Sequence, residues 1–208
     1  KGETVFYLTA RTITRTVAED AFSILRGKGL HFKSITITAK EKMCFCDEMD
    51  CDPQKCPYAK GHYDRINDAV YELWTKEEAF DRETILAQAE KYSVCPFEIT
   101  LDLAVWMDGI VCDYNYVFDP NVYLKRFFGE NIKGKYLFLI DEAHNLVDRG
   151  REMYSASLCK EEIESTRRFV RAHSSRLYRM LGKAAKQLEV LKEESSSSWQ
   201  VLENAGTL

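Results

Sequence analysis

Short apolar runs separated by longer amphipathic stretches organise the chain, an alternation that predicts strands of a parallel sheet joined by helices. Thr4 to Thr9 (Thr-Val-Phe-Tyr-Leu-Thr) predicts a buried strand, followed by a polar turn and a helix around Val17 to Arg26 that Gly27 to Gly29 breaks. Ser34 to Ala39 alternates branched and polar residues like a further strand. Helical spacing returns at Ile66 to Leu73, at Arg82 to Tyr92 and, past a Cys95-Pro96 break, at Leu101 to Met107. Gly109 to Cys112 reads as a second buried strand, with a turn at Asp113-Tyr114-Asn115-Tyr116. Tyr136 to Ile140 is short, apolar and aromatic or branched, as expected of a strand buried on both faces of a sheet. From Glu161 onward the pattern is long-helical, and Leu177, Leu181, Ala184, Leu188 and Leu191 share one face. That face predicts packing on a neighbour, and Ser195 to Leu208 reads as a loop.

The chemistry sits where the last strand ends, in Asp141-Glu142-Ala143-His144-Asn145. Ligands of parallel sheets bind beyond the carboxyl ends of the strands. Asp141 therefore falls where a phosphate-bound magnesium sits, and Glu142 where an attacking water is oriented or deprotonated. A bare Asp-Glu pair equally suits the first turn of a helix, whose dipole favours acids. The full five-residue string behind a hydrophobic strand turns the balance toward nucleotide hydrolysis.

Composition narrows the rest. The 208 residues are 45% hydrophobic and 30% charged, an ordinary globular chain long enough for one large or two small domains. No apolar run approaches the roughly 18 residues that span a bilayer, and no signal pattern opens the chain, so a cytoplasmic protein without membrane contact is expected. A net charge of -4 lacks the basic excess of a dedicated nucleic-acid binder, which leaves such binding to local patches. The 7 cysteines are odd in number and crowded between Cys44 and Cys56, unlike a secreted disulfide framework. Lys40 to Gly61 is also too poor in apolar residues to hold together without a staple. Two ligand sets compete: Cys44, Cys46, Cys51 and Cys56 around zinc, or Cys44, Cys51, Cys56 and the distant Cys95 around a [4Fe-4S] cluster. Spacing alone does not choose. His62 could join a zinc site, although a surface loop residue is the plainer expectation. Cys112 and Cys159 are expected to serve as small buried hydrophobes.

Four landmarks in order carry a resemblance: Thr9-Ala10-Arg11-Thr12, Cys95-Pro96-Phe97, the Tyr-Asn-Tyr of Tyr114 to Tyr116, and the Asp141 to Asn145 box. Their order resembles iron-sulfur helicases of the DinG and XPD type in superfamily 2, bacterial DinG-like proteins most. The resemblance implies an α/β fold, a partial RecA-like parallel sheet with an inserted cysteine-rich, mainly helical iron-sulfur domain and a helical C-terminal arch segment. The implied boundaries are 1–39 and 109–150 for the first motor domain, 40–108 for the cluster domain and 151–208 for the start of the arch. It implies Cys44, Cys51, Cys56 and Cys95 as cluster ligands, with Cys46 an extra thiol. Asp141 would hold magnesium through water, Glu142 would polarise the lytic water, and His144 would link the nucleotide site to the nucleic-acid side. Arg11, Thr12 and Thr14 would contact phosphate oxygens of a single strand, as a sequence-neutral motor requires. Implied partners are ATP, single-stranded DNA, its junction with duplex, and the rest of the helicase chain. The cluster domain would act as a wedge in 5′ to 3′ unwinding.

Around the cysteines, Lys40, Lys42, Lys55, Lys60, His62 and Arg65 alternate with Phe45, Tyr58 and Tyr63, a pattern suited to tracking a nucleic-acid backbone and stacking bases, but Asp47, Glu48, Asp50 and Asp52 dilute it toward a mixed solvated surface. Arg167, Arg168, Arg171, Arg176 and Arg179 form a second basic stretch, a solvated helix face by default. One departure matters: no Gly-x-x-x-x-Gly-Lys-Ser/Thr occurs, and Arg26-Gly27-Lys28-Gly29 does not fit its spacing. An internal helicase fragment, inactive alone, is therefore expected. The rival expectation is a non-enzymatic, zinc-stapled binding module.

Overall fold

The computed structural model describes residues 3 to 10 and 12 to 195, with the side chains of Thr12 and Ile13 left out. The chain divides into two compact units, Lys1–Tyr154 and Ser155–Leu208. The first is an α/β unit built on five strands: β1 (Thr4–Leu8), β2 (Ser34–Thr36), β3 (Ala79–Phe80), β4 (Gly109–Cys112) and β5 (Tyr136–Ile140). Their order is β3-β2-β4-β1-β5 and every pairing is parallel. Parallel neighbours need crossovers, and α1 (Thr12–Gly27) supplies the first of them.

β1 is the pivot. It pairs with β4 from Val5↔Gly109 to Leu8↔Cys112 and with β5 from Thr4↔Tyr136 to Leu8↔Ile140. Its burial alternates, and the inward Phe6 and Leu8 are fully buried. Phe6 meets Phe127 edge-on at 5.2 Å and stacks with Phe138 at 5.5 Å, so the aromatic ring cluster fastens α7 (Lys125–Phe128) to β5. The Tyr136 hydroxyl donates to the Phe127 carbonyl at 3.1 Å and closes the cluster's polar end.

Three expectations change. β5 is not buried on both faces: it lies at the sheet edge, with Leu137 49%, Phe138 38% and Leu139 43% exposed. An apolar run does not distinguish a central from an edge strand, and among the described residues only β1 flanks it. The second strand is only Ser34–Thr36 and does not alternate, because all three residues are buried between β3 and β4. The Tyr-Asn-Tyr turn is a helical one, α6 (Asn115–Phe118), held behind a fully buried Tyr114.

Between β2 and β4 the chain runs through α2 (Lys40–Met43), a long irregular stretch and α3 (His62–Lys76), returns to the sheet edge as β3, and continues through α4 (Arg82–Tyr92) and α5 (Pro96–Ala104). Ile66, Ala69 and Leu73 of α3 join Ile85 and Ala89 of α4 and Ile99 and Leu103 of α5 in the same core. Asp81 caps α4 by accepting from the Thr84 N–H at 2.8 Å, and Pro96 opens α5, where a missing N–H costs nothing. The joint between α3 and α4 is Glu72. Its half-buried carboxylate accepts from Lys76 at 2.5 Å, Lys91 at 2.6 Å, the Tyr92 hydroxyl at 2.6 Å and Gln88 at 3.2 Å.

In the second unit, α9 (Lys160–Val170) and α10 (Ser175–Glu194) pair through buried Ile163 and Ala185 and a 2.7 Å Lys160–Glu189 ion pair. The expected face of α10 is half-buried from Leu181 to Leu191, while Leu177 is exposed. Arg167 lies 4.4 Å over the Tyr178 ring. Gly182 makes room for it, since a Cβ there would stand 3.1 Å from the guanidinium. Ser196 to Leu208, the rest of the expected loop, lies outside the described residues. Cys159, expected to be buried, is exposed ahead of α9.

The hydrogen bonds from Lys76 and Lys91 hold the Glu72 carboxyl far below the usual carboxylate range. A depressed carboxylate stabilises the fold above its unfolded pKa and loses that contribution as pH falls toward the folded value. E72Q should therefore melt below the wild type at neutral pH. In thermal scans the gap should stay constant down to about pH 5 and shrink below about pH 4.3, the ordinary glutamate value.

Candidate functional site

The parallel register brings the ends of β1, β4 and β5 to one rim. The Thr9 N–H donates to the Cys112 carbonyl at 3.0 Å and the Asp141 N–H to the Leu8 carbonyl at 2.9 Å. The ladder thus runs one residue past the strands and sets Thr9, Asp113 and Asp141 side by side. Glu142 follows with a left-handed backbone, φ 49°, a conformation that costs a non-glycine residue about 1–3 kcal/mol. Two contacts hold it: the Tyr114 hydroxyl, a short hydrogen bond to the Asp141 carbonyl with a second of 3.3 Å to that of Glu142, and the Asn145 N–H donating to the Glu142 carbonyl at 2.9 Å. Burial, followed by the nearby Asp141, raises the pKa of Tyr114 and keeps it a donor. The Glu142 carboxylate points into solvent and meets His144 Nδ1 at 3.3 Å. Behind the rim, α8 (Leu146–Met153) is tied back by Arg149, 3.5 Å from Asp113 and 3.3 Å from the Asn115 side chain.

Of the expected strand-contacting residues, Arg11 and the Thr12 side chain lie outside the described residues. Thr14 is half-buried, and its hydroxyl shares a short hydrogen bond with that of Thr9, tying the end of β1 to α1. The next residue, Arg15, lines a cavity of about 780 Å³ together with Lys40, Lys42, Lys125, Arg126 and Asp113. The Arg15 Nε is buried with no hydrogen-bond partner among the described residues.

Lys40 and Phe97 also line a second cavity of about 230 Å³, into which Cys44, Cys46, Cys51, Cys56 and Cys95 all face. Its walls are ordered by local bonds rather than by a core. The Cys44 N–H donates to Lys40 O at 2.9 Å and the Cys56 N–H to Asp52 O at 2.8 Å. Side chains of Asp50 and Asp52 accept from backbone N–H groups two residues on, at 3.2 and 2.9 Å, and the Phe45 and Tyr58 rings pack at 4.8 Å. All seven cysteines are free. Burial and hydrogen bonding with Cys56 and Cys44 push the Cys46 thiol up to about 11. Burial also raises Cys95, against backbone N–H groups of Glu98 and Phe97 that favour its thiolate. The Lys40 ammonium is held charged chiefly by its hydrogen bond with Cys51. Among the described residues no three Cys, His, Asp or Glu side chains are already gathered tightly enough to hold a metal ion. The donor set nonetheless suits a thiolate-bound group: sulfur ligands from one loop and one helix start, N–H donors behind Cys95 and a cation to offset charge.

His62 is not a surface loop residue. It is 5% exposed in the first turn of α3, lines the thiol cavity, and accepts the Cys95 N–H at 3.2 Å. Its burial lowers its pKa, in keeping with a neutral acceptor. Arg15 escaped functional assignment, and Lys40 and His62 were legible only as members of a basic patch, because nothing in their spacing shows which cavity they border. Tyr114 was visible only as part of a motif. On α9 and α10, Arg167 and Arg171 stack on Tyr178 at 4.4 and 5.9 Å, so part of the basic stretch is engaged in packing.

Among the described residues, no helix is long and apolar enough to cross a membrane. Among curated proteins, the chain is 33% identical over 90 residues to the Fanconi anemia group J protein homolog of Gallus gallus, covering 43% of this chain and 7% of that protein. It is 28% identical over 118 residues to the regulator of telomere elongation helicase 1 homolog of Caenorhabditis briggsae (53% and 12%). It is 22% identical over 128 residues to the ATP-dependent DNA helicase CHL1 of Kluyveromyces lactis (62% and 16%). The chain therefore spans between 7% and 16% of the length of these relatives. A solved structure titled Truncated XPD shares its fold with a TM-score of 0.57 at 20% identity, over 91% of this chain and 54% of that one. Another, titled XPD_Helicase, does so with a TM-score of 0.54 at 19% identity, over 98% and 36%. Residues 29–163, more than half of the sequence, match the DEAD_2 family model, and the chain belongs to that family, with the DinG- and XPD-type helicases of superfamily 2.

Proposed function

We propose that this chain is part of the first motor domain of an ATP-dependent DNA helicase, carrying the acidic half of its nucleotide site and a cysteine-held strand-separating element. One observation carries the proposal: a single α/β unit presents Asp141, Glu142 and His144 at the carboxyl rim of its sheet, and Asp113 of the same rim lines, with Arg15, Lys42 and Lys125, a cavity that shares Lys40 and Phe97 with the cavity of the five thiols. Magnesium, when bound with ATP, supplies charge neutralisation at the transferred phosphate. Asp141, fixed beside β1 by its N–H bond to the Leu8 carbonyl, would be the residue that holds that magnesium. Glu142, turned outward by its left-handed backbone, accepts the proton of the attacking water, and His144, within reach of Glu142, relays the state of that carboxylate. The phosphate-cradling loop and the second motor domain come from other parts of the helicase, so this segment alone does not turn over ATP.

Thr12 and Thr14 belong to the first turn of α1, and together with Arg11 they are the residues assigned to phosphate oxygens of a single strand. The unpartnered Arg15 Nε and the neighbouring Lys42 and Lys125 extend that contact along the cavity as sequence-neutral phosphate partners. Residues 40–108 form the cluster domain, with Cys44, Cys51, Cys56 and Cys95 as ligands. A bound [4Fe-4S] cluster would supply rigidity to the stretch from Lys40 to Gly61, which is poor in apolar residues, and that suits a wedge between parting strands. Translocation runs 5′ to 3′, residues 151–208 begin the arch, and the protein acts in the cytoplasm on single-stranded DNA and its junctions with duplex. A second proposal has its own observation, the contact of Cys46 with Cys44 and Cys56: a local zinc site in a binding module.

Three measurements test these assignments in the full-length protein. E142Q should lower the ATP turnover number about 10²-fold or more while leaving DNA affinity and melting temperature near wild type. Undiminished turnover would refute the role of Glu142. Y114F should leave nucleotide KM within about twofold and reduce turnover, because it frees the carbonyls that hold Glu142 in place; equal losses in KM and melting temperature alone would make Tyr114 merely structural. Anaerobically purified protein should be brown with bound iron, and C95S should be colourless. Stoichiometric zinc in both would establish the local site instead.

A further inference from the structure

Cys95 is remote in sequence from the other four thiols, and its presence in their cavity must offset the entropy of closing a long loop. Buried hydrophobic contacts of α4 and α5 bring the region together but do not set the position of one backbone N–H. The first turn of α3 does. His62 Nδ1 accepts the Cys95 N–H at 3.2 Å. Arg65, one turn on and on the same helix face, donates through Nε to the Tyr92 carbonyl at 2.9 Å and through Nη2 to the Ser93 carbonyl at 2.7 Å. The same guanidinium donates to Lys60 O at 2.8 Å, on the loop that leaves Cys56. Ser93 has left the helix, φ 51°, so the last carbonyls of α4 require partners from elsewhere. Gly61 completes the arrangement: its φ is 66°, and a Cβ there would fall 2.6 Å from the Arg65 guanidinium.

We propose that His62 and Arg65 form a two-point clamp, one acceptor and one forked donor, that sets the position of Cys95 in the thiol cavity. Both are positioning residues, since neither belongs to the proposed cluster ligands Cys44, Cys51, Cys56 and Cys95. The purpose assigned to the clamp rests on the cluster site proposed above, whereas the clamp itself belongs to the fold. With Nδ1 accepting, neutral His62 carries its proton on Nε2. Asparagine at 62 retains an acceptor near the place of Nδ1, leucine fills the volume without one, and lysine at 65 keeps the charge but loses the fork.

The test uses full-length wild type, H62L, H62N and R65K, purified anaerobically. Two rates are followed: loss of visible absorption under an iron chelator, and hydrogen exchange at the Cys95 amide, with the Leu103 amide as reference for global opening. H62L and R65K should bleach and exchange at Cys95 about fivefold faster than wild type, while H62N stays within about twofold and Leu103 is unmoved. Wild-type rates in H62L and R65K would overturn the clamp. Should H62L fail to fold, R65K decides alone by the same criterion. Wild type without iron would defeat the cluster proposal only, and Cys95 exchange would still decide whether the clamp exists.

Discussion

The chemistry of the first unit depends on the two-sided parallel pairing of β1. Leu8 is opposite both Cys112 and Ile140, and the hydrogen bonds to Thr9 and Asp141 carry the ladder into the loops. A slip of one residue would turn Phe6 out of its aromatic cluster and, in the same movement, shift Asp141 relative to Thr9 and Asp113. Core packing and rim geometry are therefore one constraint. The register that buries Phe6 also aligns the carboxylates.

Strain at Glu142 fits this picture. A left-handed glutamate persists where its surroundings over-determine it, and Tyr114 supplies that determination from the loop that follows β4, across the end of β1. Tyr114 is buried because β4 is central, so sheet order reaches the acidic box through one hydroxyl. The cysteine region follows another logic. Between Cys44 and Cys56 it is held by turns, Asx contacts and one aromatic pair, and Glu72 and Arg65 secure the helices behind it. Such a stretch gains most from a bound group, because ligand binding supplies order that burial does not.

Much of this was legible in the chain. Buried strands at Thr4 and Gly109, helices at Arg82 and Glu161, and the parallel α/β class follow from period and length, since burial on a sheet face or helix stripe imposes those periods directly. Family landmarks also depend only on local order, and the match over residues 29–163 spans the three that follow Thr9 to Thr12. Where expectation failed, the missing quantity was a neighbour. Leu137 to Leu139 are apolar enough for a sheet centre yet lie on an edge, and Cys159 is as apolar as Cys112 yet exposed.

The sequence by itself determined the fold class, the acidic box at a strand end and the crowding of four thiols between Cys44 and Cys56, because each is a matter of residue type and spacing along the chain. Tertiary structure alone decided that Tyr114 holds the box, that Lys40 borders both cavities and that His62 faces Cys95. Those relations join residues distant in the chain through hydrogen bonds a few ångströms long, and only the closed fold sets such distances.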